Sequence, residues 1–437
     1  MVLDLNNGAN AMVKTVCKSE LNINISNDTT IIPEHTFMSD KKKFWTLRYI
    51  IINATYFAVY SGIHAYASVF LLEKNFSNTL IGITLALANI LSVIFQPIIA
   101  GLIDKQGKLT NRNVSMASTA LLLIGSILLL FIKNGIAVIF IIFALIYMVQ
   151  MVYQPIITAM YFEYEAAGCN IYYGLARGLG SCGFAITSIF TGKAIGWFGV
   201  NILMILDIIF LSIALVVLFF FKKPEVKTAP PAKTETAHNN LISFIKTYPG
   251  FMLFVLGAVC FFFAHNAIND YMIQVITPLG GTETQMGIAV SCAAFLELPT
   301  MALINKIMKK ISVKNLLLIS GIAFLIKHFL MLIAPNMAVV YISQAFQMFA
   351  YAVFIPAGAY FVNQTMARLD QVKGQAYINC SITLGGVFSS LVCGRLLDIK
   401  GVNFMLTVSV IVTAVGLAIA FVALKLMRSK PVNCGNP

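Results

Sequence analysis

The decapeptides GKAIGWFGVN (Gly192–Asn201) and GRLLDIKGVN (Gly394–Asn403) read almost as one sentence written twice, 202 residues apart. Upstream, Gly183 and Gly385, then Thr187-Ser188 and Ser389-Ser390, keep the same 202-residue offset. Each decapeptide falls where one apolar run stops and the next begins. The chain therefore repeats a helix–turn–helix boundary at the same place in each of its halves, which predicts a duplicated unit.

The runs on either side give the size of that unit. Of 437 residues, 59% are hydrophobic and 11% charged, too little polar material to clothe a soluble core of this size. An apolar run of roughly 20 residues spans a bilayer as a helix. Twelve such runs lie at about 46–72, 79–103, 114–132, 136–161, 172–195, 200–221, 250–276, 285–305, 315–333, 338–362, 375–397 and 403–426. The expected fold is an all-α membrane protein of twelve transmembrane helices in two pseudo-symmetric six-helix bundles. Between the sixth and seventh runs lies KKPEVKTAPPAKTETAHNN (Lys222–Asn240), charged, Pro-bearing and without apolar periodicity, as a solvated linker is. The expected boundaries are a disordered tail over 1–43, bundles over 44–221 and 247–428, a linker over 222–246 and a short tail over 429–437. Met38, ahead of SDKKKFW, could serve as a start.

The formal charge of +13 is explained by the loops. Lys41, Lys42, Lys43, Lys105, Lys108, Arg112, Lys222, Lys309, Lys310, Lys373 and Arg428 belong to one side; Lys74, Lys133, Lys193, Arg395 and Lys400 are what the other side holds. Basic loops stay cytoplasmic. Both termini are thus expected in the cytoplasm of a multi-pass protein of the bacterial inner-membrane type, with the lipid bilayer and no nucleic acid as partner. The 8 cysteines form no CxxC pair and fall mostly inside apolar runs, so they read as packing residues, and no metal or cofactor is implied. HExxH, Ser-Lys and glycine-rich phosphate motifs are missing, which argues against an enzyme and against ATP-driven transport. No appended soluble domain speaks for a sensor.

The loop after the second run reads GLIDKQGK (Gly101–Lys108). With twelve helices in two halves and a basic central linker, it resembles the signature loop of the major facilitator superfamily. The resemblance covers residues 44–428. It implies a secondary transporter whose halves rock about a mid-membrane site, with Gly101, Asp104, Gly107 and Lys108 latching the cytoplasmic side. FQPIIAGLIDKQG (Phe95–Gly107) and GLARGLGSCGF (Gly174–Phe184) further resemble the lactose permease and oligosaccharide:proton symporter branch.

Arg177 stands among small residues in the second of these segments, although an arginine at helix centre costs on the order of 3 kcal/mol in lipid. It either snorkels to the interface or serves a hydrated cavity as a donor to hydroxyls or a carboxylate. The resemblance implies the second, with Arg177 on the sugar-binding arginine and Phe184 on the aromatic residue that packs against the sugar ring. The acid that pairs with this arginine in lactose permease falls on Ala159. Glu163, one turn further on, either replaces it or is a solvated loop acid. By the same register Lys327 takes the place of a ninth-helix arginine, and Gln347 and Ala350 replace the histidine and glutamate used for proton coupling.

Glu297, the deepest acid, lies one turn from the family's eighth-helix position, just before Pro299. A lone anion in mid-membrane is costly, so Glu297 is the candidate carrier of a coupling proton, tuned by Lys327; a permanent Glu297–Lys327 ion pair is the alternative. Tyr153, Tyr56, Tyr60 and Tyr351, with Gln150, Gln154, Gln344 and Gln347, would suit a polyol with apolar ring faces, or are core. Asp270, near the outer end of the seventh helix with Asn266 and Asn269, either lines the outer vestibule or caps and hydrates that helix, and Asp207 is ambiguous, a pairing across the bundle being one reading. The expected function is proton symport of a small polar solute, a sugar or oligosaccharide first. Glu-Leu-Pro at Glu297–Pro299 and the neutral Gln347 and Ala350 look more like nucleoside and aromatic-acid permeases, which stand as the alternative. A monomer suffices for this mechanism.

Overall fold

The computed structural model describes residues 40–106, 109–132, 134–222 and 241–427. The N-terminal tail, the linker from 223 to 240, Gly107, Lys108 and the side chain of Asp104 lie outside the described residues. Every regular element among those described is helical. Helix α1 (Asp40–Tyr60) continues through a π-helical turn at Ser61–Ala65 into Ala67–Glu73. There follow α2 (Asn78–Gln106), α3 (Asn111–Phe131), α4 (Ile136–Ala166), α5 (Tyr173–Phe198) and α6 (Ile202–Phe220). The second set is α7 (Pro249–Asp270, extended by Met272–Ile276), α8 (Glu283–Met308), α9 (Val313–Leu332), α10 (Met337–Ala345, resumed at Tyr351–Thr365), α11 (Gln371–Lys400) and α12 (Val402–Leu426).

Ten of these helices are long and apolar enough to cross a membrane, and α1 joins them when its two arms, bent by 50°, are counted as one span. Helix α5 is long enough at 26 residues, but its glycines, hydroxyls and Arg177 dilute its hydropathy. The dilution is itself informative, because small residues let helices approach closely.

Local chemistry sets the ends and bends. Thr110 caps α3 by accepting from Asn113 N at 3.2 Å, and Ser312 caps α9 from Asn315 N at 3.3 Å. Thr282 and Gln285 form a capping box on α8. Pro97, Pro155, Pro299 and Pro356 sit inside helices, and each removes one backbone donor. At Pro155 the released carbonyl, that of Met151, is taken up by Gln96 Nε2 at 3.2 Å. A bare carbonyl in lipid would cost several kcal/mol, so such repairs make the bends tolerable.

Between the two sets, α2 crosses α11 and α5 crosses α8, and the duplication appears here as geometry. A Cβ on Gly82 would collide with the Ser390 carbonyl and Tyr271 Oη; a Cβ on Gly287 would collide with the Ser188 carbonyl and Tyr66 Oη. Gly394 is pinned in the same way against the Asn78 carbonyl and Tyr271, and Gly192 against the Glu283 carbonyl and Tyr66. The tyrosines seal both crossings: Tyr66 Oη donates to the Ser188 carbonyl at 2.7 Å, and Tyr271 Oη to that of Ser390 at 2.8 Å. Asp398 of α11 adds a cap across the junction, accepting from Asn78 N, Asn78 Nδ2, Thr79 N and Thr79 Oγ1 at the start of α2 at 2.6–3.2 Å.

All of these contacts lie at the end where α2 and α8 begin. At the other end, Gly101 of α2 and Gly174 and Gly178 of α5 have no neighbour within 4 Å of where a Cβ would be. One end of the described molecule is clamped and the other, where α1 begins and α12 ends, is open.

Replacing Tyr66 and Tyr271 together by Phe removes hydrogen bonds worth about 1 kcal/mol each. The clamped form should lose roughly thirtyfold in population relative to a form open at this end. Hydrogen–deuterium exchange of the α2 and α11 amides near Gly82 and Ser390 should accelerate; unchanged protection would contradict the role given to the tyrosines.

Candidate functional site

The clamp roofs a central cavity of about 700 Å³. Helical spacing explains its lining, because residues three or four apart share a face. Helix α1 contributes Phe57, Tyr60 and His64; α5 contributes Arg177, Ser181 and Phe184; α7 contributes His265, Asn266, Asn269 and Asp270; α8 contributes Ala293, Glu297 and Met301. Asn89, Tyr147, Gln154, Gln344, Gln347, Tyr351 and Gly386 complete the wall.

Arg177 faces this cavity. Its NH1 donates to Ser181 Oγ at 2.9 Å, and its guanidinium carbon stands 4.4 Å from the centre of the Phe57 ring, a cation–π arrangement. It forms no ion pair with any described carboxylate, so its remaining donors are available to a ligand. Phe184 packs near Tyr60, ring centres 6.0 Å apart, and on the opposite wall Tyr351 stacks on His265 at 5.5 Å.

Glu297 and Lys327 are joined by a third residue. Lys327 Nζ, fully buried, donates to Gln347 Oε1 at 2.6 Å, and Gln347 Nε2 donates to Glu297 Oε1 at 2.9 Å. The direct ion pair weighed from the sequence is replaced by this amide relay. Its geometry depends on a break in α10, where Phe346–Met348 form a 3-10 turn that carries Gln347 inward. Ser320 Oγ donates to the Ala350 carbonyl at 2.7 Å beside the break. Gln347 thus acts through its neighbours, both faces of its amide being engaged.

Other expectations need correction. Glu163 does not reach Arg177: it accepts from Asn111 Nδ2 at 2.8 Å near the loop that opens α3, outside the central cavity. One turn of displacement along α4 carried it past the cavity mouth. Tyr153 is 2% exposed and its hydroxyl meets Thr119 Oγ1 at 3.2 Å, so it is core. Tyr56 and Gln150 exchange side-chain to backbone hydrogen bonds at 3.2 and 3.1 Å and tie α1 to α4. Asp207 is buried against Gly62, its Oδ2 without a hydrogen-bond partner, and does not pair across the bundle. Asp270 ends the first segment of α7 and also lines the cavity, so both readings of it hold. No group of three or more His, Cys, Asp or Glu side chains among the described residues is placed to hold a metal.

The profile of the MFS_1 like family matches residues 47–408. The chain belongs to that family. A curated relative of this MFS_1-like protein is 22% identical over 361 residues, 82% of this chain and 88% of its own: the uncharacterized transporter YwbF of Bacillus subtilis (strain 168). Among solved structures, the nucleoside transporter NupG superposes with a TM-score of 0.69 at 16% identity, over 90% of this chain and 100% of its own. An auto inhibited POT family peptide transporter gives 0.69 at 11% identity, over 90% of this chain and 99% of its own. At these identities the likeness is one of fold. The MFS_1-like protein is a multi-pass membrane transporter of the major facilitator type.

Gln347→Leu leaves the Lys327 ammonium buried without an acceptor, which costs about 1–3 kcal/mol or more for a charged group. Thermal unfolding in detergent should shift down, and adding Lys327→Met should restore most of the loss. Strict additivity of the two substitutions would refute the relay.

Proposed function

We propose that this chain is a proton-coupled transporter of a neutral solute carrying a flat ring and hydroxyl groups, a nucleoside first, and that it is not an enzyme. The carrying observation is the composition of the central cavity's wall. Aromatic faces stand on both sides, Phe57, Tyr60 and Phe184 opposite Tyr351, with side-chain amides between them. Aromatic faces stack on a base, and Asn or Gln amides match the paired donors and acceptors of its edge. The fold-level likeness to NupG, described as a nucleoside transporter, agrees with this choice.

Formal charges in the wall and just behind it cancel, Arg177 and the buried Lys327 against Glu297 and Asp270, which favours a neutral solute over an aromatic acid. An oligosaccharide is the second reading, favoured by Arg177 and Phe184 lying where the sugar-binding branch has its arginine and aromatic. Against it, the acid that holds that arginine is Ala159 here, and Glu163 lies elsewhere.

Coupling falls to Glu297. It is half-buried in the wall, with Gln347 and Lys327 behind it. Proton and solute together would satisfy the cavity's charges and permit the swing, as one six-helix half (44–221) moves against the other (247–428) about the 222–246 linker. With both termini cytoplasmic, the form described is inward-open, and the Gly101–Lys108 loop with Asp104 would close that side in the opposite form. A monomer is sufficient.

Counterflow in proteoliposomes, with unlabelled uridine or lactose inside and the labelled compound outside, decides between the two readings. Uridine should exchange, and Arg177→Gln should cut the rate at least tenfold. Glu297→Gln should keep counterflow and lose accumulation driven by a proton gradient. Exchange of lactose with uridine inert would overturn the nucleoside reading, and proton-driven accumulation that survives Glu297→Gln would overturn the coupling role.

A further inference from the structure

The roof of the cavity holds polar groups that neither the relay nor the aromatic walls use. Asp270 ends the first segment of α7 and lines the cavity. Its Oδ2 accepts from Ser390 Oγ at 3.1 Å; no described cation pairs with it, and its Oδ1 accepts from no described side chain. A half-buried carboxylate with one neutral donor is under-satisfied, because an ionised carboxylate offers about four acceptor positions.

His64, across from it on the π-helical turn of α1, is 7% exposed and lines the same space. The imidazole lies between Tyr60, ring centres 4.2 Å apart, and Tyr147, at 3.8 Å, and neither ring nitrogen has a hydrogen-bond partner. Both nitrogens are covered in the form described, and burying such a ring unpaired costs on the order of 1–3 kcal/mol, a cost that a turn of the ring toward a bound ligand would remove. The two elements are held together at this point by Ser68 Oγ, which donates to the Asp270 carbonyl. Gly386 lies on the third side, where a Cβ would come 3.1 Å from Asn266 Nδ2 and 3.8 Å from Asn89 Nδ2 and press on the first amide.

We propose that Asp270 and His64 form a second subsite, at the clamped end of the cavity, that receives the vicinal hydroxyls of the solute's sugar. A carboxylate takes two neighbouring hydroxyls in parallel, as an acidic side chain does with a ribose in dinucleotide-binding folds. The imidazole, once turned from between Tyr60 and Tyr147, brings a ring nitrogen to a third polar atom. The ring of the solute then lies lower, between Phe184 and Tyr351, with its edge toward Arg177. Because the roof is built from α1 and α7, which carry Tyr66 and Tyr271, a sugar seated there touches the two helices that seal the clamp. Specificity and the opening of the clamp thus share one set of residues. This inference rests on the proposed transport of a sugar-bearing solute and assigns the orientation of that solute.

Competition in the counterflow assay tests it, using uridine, 2′,3′-dideoxyuridine and uracil as competitors against labelled uridine, with lactose and a deoxylactose as a parallel set. In the unaltered protein, uridine should compete at least tenfold better than the dideoxy compound. Asp270→Asn, nearly the same shape, should reduce that ratio to within about twofold while leaving competition by the dideoxy compound unchanged. His64→Ala should reduce it independently, which guards against misfolding of one variant. Equal competition by uridine and its dideoxy analogue, or a ratio that survives both substitutions, would overturn the subsite. If lactose exchanges and uridine does not, the nucleoside reading fails separately, and the lactose set decides the subsite by the same ratio. If an organic cation exchanges in place of either, Asp270 is its counter-ion and the proposal is wrong.

Discussion

Close approach of backbones at two glycine crossings is the constraint on which the rest of the molecule depends. Gly82 against Ser390 and Gly287 against Ser188 leave no room for even a methyl group. The energy of such contacts comes from many small dispersion terms that fall away within an ångström. A clamp of this kind is either made or broken, with little stable ground between. Tyr66 and Tyr271 sharpen it by placing a hydroxyl on each crossing, and Asp398 reinforces one crossing with a charged cap on the start of α2. The asymmetry of that cap is notable, since α8 carries its own Thr282 and Gln285 box in the equivalent place.

Everything that bears on transport follows from where the clamp sits. The clamped end forms a roof, and the same helices diverge from it to leave a cavity open at the other end. Irregular backbone is confined to helices that line the cavity: the π-helical turn in α1, the break between Asp270 and Met272 in α7, and the 3-10 turn in α10. Such breaks are tolerated at membrane depth only where protein or water can satisfy the released groups. Each break presents a side chain that the cavity uses, namely His64, Asp270 and Gln347.

The fold was legible because hydropathy alone fixes up to eleven of the spans, and α5, read as a run that stays apolar or small, has the length of a twelfth. Arg177, Glu297 and Gln347 were legible as candidates because an intramembrane polar group has few other uses, and with Phe184 they line the cavity. Glu163 and Tyr153 were not separable from the site on the same grounds. Spacing along one helix gives depth and face, whereas membership of the cavity depends on which neighbour covers that face, here Asn111 and Thr119. The sealing tyrosines had a signal that went unread: Tyr66 and Gly82-Ile83 recur as Tyr271 and Gly287-Ile288 at an offset of 205 residues, three more than in the later helices. For Asp270 the sequence left two readings, vestibule lining and helix end, and the break in α7 makes it both.

The central claim is that the clamp and the open end alternate, driven by what binds between them. Spin labels at Glu73 and Ile399, across the clamped end, and at Leu102 and Leu369, across the open end, would read both distances by double electron–electron resonance in nanodiscs. With uridine and a proton supply, the first distance should lengthen as the second shortens, in matching fractions of the population. A solute-bound protein in which the open end narrows while the Glu73–Ile399 distance stays fixed would contradict the account.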